Sequence, residues 1–162
     1  MSKRNEQIKL TAPAFQKCDT DFVSGWFVEL GFRTVDQLLN IRVFDMMNLN
    51  RISRNRAEGM AFALYCFFNR NHKLDAALDA GIVKQSFDYT GWHKKHPKYE
   101  NLTVKDLVLA EDINAQALSH LWKLTVRSFF RSNEYDSRRY RYIDFDDYEL
   151  ARKEREKEGK SE

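Results

Sequence analysis

Residues 34–68 read TVDQLLNIRVFDMMNLNRISRNRAEGMAFALYCFF, and the fold turns on how this stretch divides. Thr34 offers a hydroxyl to the next helix and Gln37 stands three residues on, the pattern of a capping box. Val35, Leu38 and Leu39 supply that helix with its apolar side. Phe44, Met46, Met47 and Leu49 make a second apolar turn, and the polar hairpin Asn50-Arg51-Ile52-Ser53-Arg54 follows. Asn55 with Glu58 is expected to cap the long helix behind it. There Ala57, Met60, Ala61, Leu64 and Phe68 recur at steps of three and four, so one face is continuously apolar.

The same signals extend in both directions. The segment to Lys17 is polar with Pro13 as a breaker, and is expected to lie extended. Asp19 or Thr20 can cap a helix carrying Phe22, Val23, Trp26, Phe27 and Leu30, and Gly31 stands where a left-handed C-terminal cap belongs. Beyond residue 68, Leu74, Ala77 and Leu78 mark a small helix closed by Gly81. Thr103 and Asp106 make a second cap over TVKDLV. Another long helix is expected after Glu111 or Asp112, burying Ile113, Leu118, Leu121, Trp122, Thr125 and Phe129. TVDQLL at Thr34 and TVKDLV at Thr103 each precede a long helix with a Phe pair, CFF and SFF. Shared capping chemistry accounts for that echo more simply than duplication.

A chain of 162 residues, 43% hydrophobic and 31% charged, is long and apolar enough to bury a core and too polar for a membrane protein. Six glycines and two prolines favour helices over the turn-rich β folds. No apolar run approaches the roughly 20 residues of a membrane span, and no signal core follows the basic start. Two cysteines make no disulfide framework, so a reducing, cytoplasmic setting is expected, with Cys66 as a small core residue. Residues 1–142 carry 22 Lys/Arg against 16 Asp/Glu, and residues 143–162 carry 5 against 8. A basic body with an acidic-leaning tail is compatible with nucleic acid.

The order of elements resembles the C-terminal domain of the bacterial RNA polymerase alpha subunit, a small helical domain built on a helix-hairpin-helix-like unit. The matching parts are GFRTVDQLL at 31–39, DMMNLNRISRNRAEG at 45–59 and the apolar helix behind them, within about residues 22–68. The resemblance implies nucleic-acid contact through the hairpin and an association with transcription. Its carry-over is partial. The family's minor-groove arginine would fall near Phe22, its hairpin glycine on Ser53, and its lysine-serine pair on Asn55 and Arg56. What survives is the positive and polar character of Arg54, Asn55 and Arg56, which implies phosphate contact with little base reading.

Physical chemistry leaves two readings of the hairpin. A helix N-terminus presents unpaired N–H groups that can hold a phosphate oxygen, and Arg51, Arg54 and Arg56 add attraction that ignores base sequence. Alternatively it is a solvated helix start whose arginines pair with Asp45 or Glu58. A second candidate is SRRYRY at 137–142, where Arg138 and Arg139 alternate with tyrosines in the manner of single-strand binders. Asp144, Asp146 and Asp147 follow at once and would repel phosphate.

His93 and His96 are too few for a metal site, and the three aspartates lack the glycine and glutamate of a calcium loop. No phosphate-binding loop, dinucleotide fingerprint or nucleophile elbow is present. The sequence therefore predicts no enzyme, no cofactor, no metal, no membrane partner and no small-molecule substrate. It predicts an all-α bundle of about six helices with long helices starting near Asn55 and Asp112. Residues 1–18 form an extension, 19–82 the helix-hairpin-helix-like unit, 83–142 a second helical region and 143–162 a charged tail. Its candidate nucleic-acid contacts are Arg51, Ser53, Arg54, Asn55, Arg56, Arg138 and Arg139. The partner is DNA or another protein, the latter if the helical unit serves as an interaction scaffold.

Overall fold

Capping residues recur so often along this chain that most of its helices are short. The computed structural model describes residues 7–69, 87–136 and 142–161, and over them the protein is all-α. In chain order come α1 (Pro13–Gln16), α2 (Ser24–Glu29), α3 (Val35–Leu39), α4 (Val43–Met47) and α5 (Arg54–Phe68). Then follow α6 (Tyr89–Lys95), a 3-10 turn (Tyr99–Asn101), α7 (Val104–Val108), α8 (Ala115–Phe130), α9 (Asn133–Asp136) and α10 (Phe145–Ser161). This exceeds the six helices expected, because single turns such as α1, α4 and α9 end before a 3.6-residue period can register in sequence. The expected helix at 74–81 lies outside the described residues.

Local chemistry explains the boundaries. Asp19 is buried, and its carboxylate accepts from the backbone N–H of Val23 and Ser24 at 2.9 and 2.8 Å, starting α2. Gly31 ends α2 with φ +99°, a conformation that strains any residue with a Cβ. Capping boxes open α3 at Thr34 with Gln37 and α7 at Thr103 with Asp106. Two expected helix starts are corrected. Ser53, not Asn55, caps α5 by accepting from the Arg56 N–H at 3.2 Å. Asn114, not Glu111 or Asp112, caps α8 by accepting from the Ala117 N–H at 2.8 Å, and Asp112 instead turns the chain at φ +60°.

The core is one hydrophobic cluster running from Leu10 to Tyr148, with the buried faces of α5 and α8 inside it. On α5 the buried residues are Ala57, Met60, Ala61, Ala63, Leu64, Tyr65 and Phe67, so Phe67 rather than Phe68 continues the stripe. The N-terminal segment is not merely extended: Pro13 starts α1, and Phe15 sets its ring edge-on to Phe67 at 5.7 Å. Pro is well placed there because a first-turn N–H has no intrahelical partner. Cys66 is half-buried against the core.

Three isolated bridges draw distant segments together: Lys9 with Thr34, Arg42 with Thr103, and Leu49 with Tyr142. The second joins the openings of α4 and α7. The third sets Tyr142 beside the hairpin, with Asn50 N–H donating to Tyr142 O and Tyr142 N–H to Asn48 O, both at 2.9 Å. The acidic-leaning tail is likewise a helix with an anchored base. Asp144 and Asp147 cap α10, while Phe145 and buried Tyr148 pack against Phe32. Among the described residues no helix is long and apolar enough to cross a membrane.

Candidate nucleic-acid interface

The hairpin departs from helical geometry at Arg51, whose φ of +66° lets the chain reverse between α4 and α5. Each polar residue after it has a distinct environment. Ser53 gives its oxygen to the helix cap. Arg56 lays its guanidinium over the Trp26 ring, 3.5 Å from the centroid, and donates to Arg51 O at 2.8 Å. Arg56 is therefore a brace that ties the hairpin to α2. Arg54 instead points across to α8, where its guanidinium sits 5.8 Å from the centroid of Phe130. Among the described residues none of Arg51, Arg54 and Arg56 pairs with Asp45 or Glu58.

Between the first turns of α5 and the C-terminal half of α8 lies a groove of about 450 Å³. Arg54, Asn55 and Glu58 line it from α5; Lys123, Arg127 and Arg131 line it from α8 and its C-terminal cap. Trp122, Val126 and Phe130 supply its apolar surface. Four cations thus face one carboxylate, Glu58, among the described residues. Trp122 is 1% exposed, and its indole N–H meets no hydrogen-bond acceptor among the described residues.

Sequence reasoning missed the α8 wall, although its signal was present. Lys123, Arg127 and Arg131 are spaced by four, opposite the buried stripe of Leu121, Trp122, Thr125 and Phe129, so they form a basic ladder on one helix face. Of the expected contacts, Arg54 and Asn55 enter the groove, while Ser53 and Arg56 shape the turn beside it. Arg138 and Arg139 lie outside the described residues.

A second polar cluster has the opposite character. Asp45, in α4, is fully buried and accepts five hydrogen bonds from described residues. Arg42 binds it through Nε and an Nη, both at 2.9 Å, and Arg155 of α10 through two Nη at 3.1 Å. Tyr142 Oη donates at 2.9 Å. Arg42 also reaches Glu134 at 2.7 Å and Glu100 O at 2.7 Å. Burial opposes the charge on Asp45, but the hydrogen bonds and attraction of Arg42, then Arg155, outweigh it and hold its carboxyl below the ordinary value. Burial, then the neighbouring Asp45 charge, pushes the Tyr142 phenol upward; the same two causes bring Tyr148 to about 12.

His93 and His96 are occupied locally. His96 stacks on Trp92 with ring centroids 4.6 Å apart, and His93 sets its ring edge-on to Trp92 and Tyr99. Among the described residues no group of three His, Cys, Asp or Glu is placed to hold a metal ion. No protein-family model, no curated protein and no solved structure matches this chain.

Proposed function

We propose that this chain is a non-enzymatic nucleic-acid-binding accessory protein, associated with transcription, that contacts phosphate weakly and with little regard to base sequence. One observation carries the reading. The start of α5 opens onto a groove whose far wall is the Lys123-Arg127-Arg131 ladder, with Arg54 between them. Cations on two walls attract a polyanion from either side, and Arg54 belongs to no ion pair among the described residues that such a ligand would have to break. Glu58 weakens the field and fits modest affinity.

Labelled DNA, offered as duplex and as single strand at low salt, tests this directly. Affinity should fall steeply with salt, because each neutralised phosphate contributes about 0.9 to the logarithmic slope on duplex DNA. Arg54→Ala with Arg127→Ala should lower that slope by roughly two. Absence of binding to both forms at tens of micromolar protein ends the reading.

A second reading, a protein-interaction scaffold, rests on Phe22. This ring is 80% exposed, and its backbone is held at φ +54° in the turn that Asp19 pins. An aromatic residue in left-handed geometry and open to solvent is costly, and such strain gathers at contact sites. Pull-down from a lysate with wild type and Phe22→Ser separates this reading: a protein captured only by wild type supports it.

A further inference from the structure

We infer that the groove between α5 and α8 takes a single-stranded nucleic-acid segment, with a base stacked on Phe130 and the adjoining phosphate among Arg54, Arg127 and Lys123. The inference rests on the phosphate-binding reading above and specifies the form of nucleic acid that the groove accepts.

The wall chemistry carries it. A duplex offers its outer phosphates, and its bases stay stacked inside; it would engage the cations and leave the exposed ring of Phe130 idle. A single strand presents an unstacked base and a charged phosphate side by side, which is the pairing of surfaces this groove contains. Its volume of about 450 Å³ lies in the range of small-ligand pockets, suited to a base and its phosphate.

Phe130 is 36% exposed while its neighbour Phe129 is buried, so α8 ends with one ring in the core and one at the groove. Phe129 and Tyr135 meet Phe130 edge-on, at 5.5 and 4.9 Å between centroids. They fix its plane and leave Arg54 as the group over its ring. An exposed cation–π contact is weaker than base–aromatic stacking. An incoming base therefore displaces Arg54 from the ring, and the freed guanidinium turns to the phosphate beside it. Lys123, Arg127 and Arg131 stand along the same wall within the reach of that phosphate.

The test compares labelled oligo-dT, oligo-rU and a duplex of equal phosphate number at one low salt concentration. Both single strands should bind more tightly than the duplex; a preference for one of them identifies RNA or DNA as the source. Phe130→Ala should weaken single-strand binding about tenfold and leave duplex binding unchanged. Phe130→Leu keeps apolar bulk without a ring and should match Phe130→Ala, while Phe130→Trp should restore binding. Circular dichroism of each variant confirms the helical fold. Equal affinity for duplex and single strand, or wild-type binding by Phe130→Leu, overturns the inference and leaves the phosphate reading standing. No binding of any polyanion overturns both.

Discussion

Asp45 and the α5–α8 groove use the same side chains to opposite ends. Around Asp45, Arg42 and Arg155 close on a fully buried carboxylate, each with two hydrogen bonds, and Tyr142 completes the set. In the groove, Arg54, Lys123, Arg127 and Arg131 face solvent and one another, with a single glutamate among them. What separates the two is the geometry of burial. Asp45 sits where α4, α10 and Tyr142 converge, so every charge there must be answered from within. The groove lies between helices that part toward solvent, so its charges stay hydrated and available. An arginine count alone would treat these regions as equals.

The comparison breaks most visibly at Asp45. Asp45→Asn leaves Arg42 and Arg155 without their shared anion and should cost roughly 3 kcal/mol of stability in urea denaturation. Its depressed carboxyl contributes stability that is present above the ordinary carboxylate value near ~3.9. That part is lost as pH falls below it and through the folded value. Wild type should therefore lose stability in acid more steeply than the Asn variant. A loss of less than about 1 kcal/mol on substitution would put this cluster on a par with surface ion pairs.

The alkaline side gives the next largest effect. Tyr148 holds its proton to about 12 in the folded state, whereas the unfolded chain releases it near 10. Stability from this group is complete below pH 10 and is lost as pH rises toward 12, on the order of 2 kcal/mol. Tyr148→Phe should flatten that part of the pH profile; an unchanged profile would mean that the phenol is as accessible folded as unfolded.

Smaller again is the brace. Arg56→Ala removes the contact with Trp26 and the bond to Arg51 O, and should cost about 1 kcal/mol in thermal denaturation. A shift in tryptophan emission on that substitution would locate the change at α2. The smallest stability change belongs to the groove. Arg54→Ala with Arg127→Ala should alter stability by no more than about 0.5 kcal/mol, even as it lowers the salt slope of DNA binding. A large destabilisation by this pair would erase the contrast between the two regions.

Much of the α2–α5 unit was legible because its signals are local. A cap and its partner lie three or four residues apart, so Asp19, Gly31, Thr34 with Gln37, and Thr103 with Asp106 could be read from spacing. The stripes of α5 and α8 were legible for the same reason, apart from Ile113, which stands before α8 and is half-buried, and from the choice between Phe67 and Phe68. That choice was made by Phe15, more than fifty residues away in the chain. The site was half legible. Arg54 and Asn55 were visible as a basic helix start, but nothing local says that α8 runs beside them. Asp45 was read only as a partner for hairpin arginines: its neighbour Arg42 was overlooked although it stands three residues away, and Arg155 and Tyr142 lie about a hundred residues downstream.

The sequence by itself determined that this protein is helical, that α3 and α7 open at Thr34 and Thr103, and most of the residues that line the buried faces of α5 and α8. Those follow from hydrogen bonds and periodicities that span a few residues. Only the tertiary structure decided which arginines are bound and which are open. That outcome depends on where α8 and α10 pack: α10 brings Arg155 down onto Asp45, and α8 sets its basic ladder opposite Arg54. A charge acquires its role from the solvent and the counter-charges around it, and those come from distant parts of the chain.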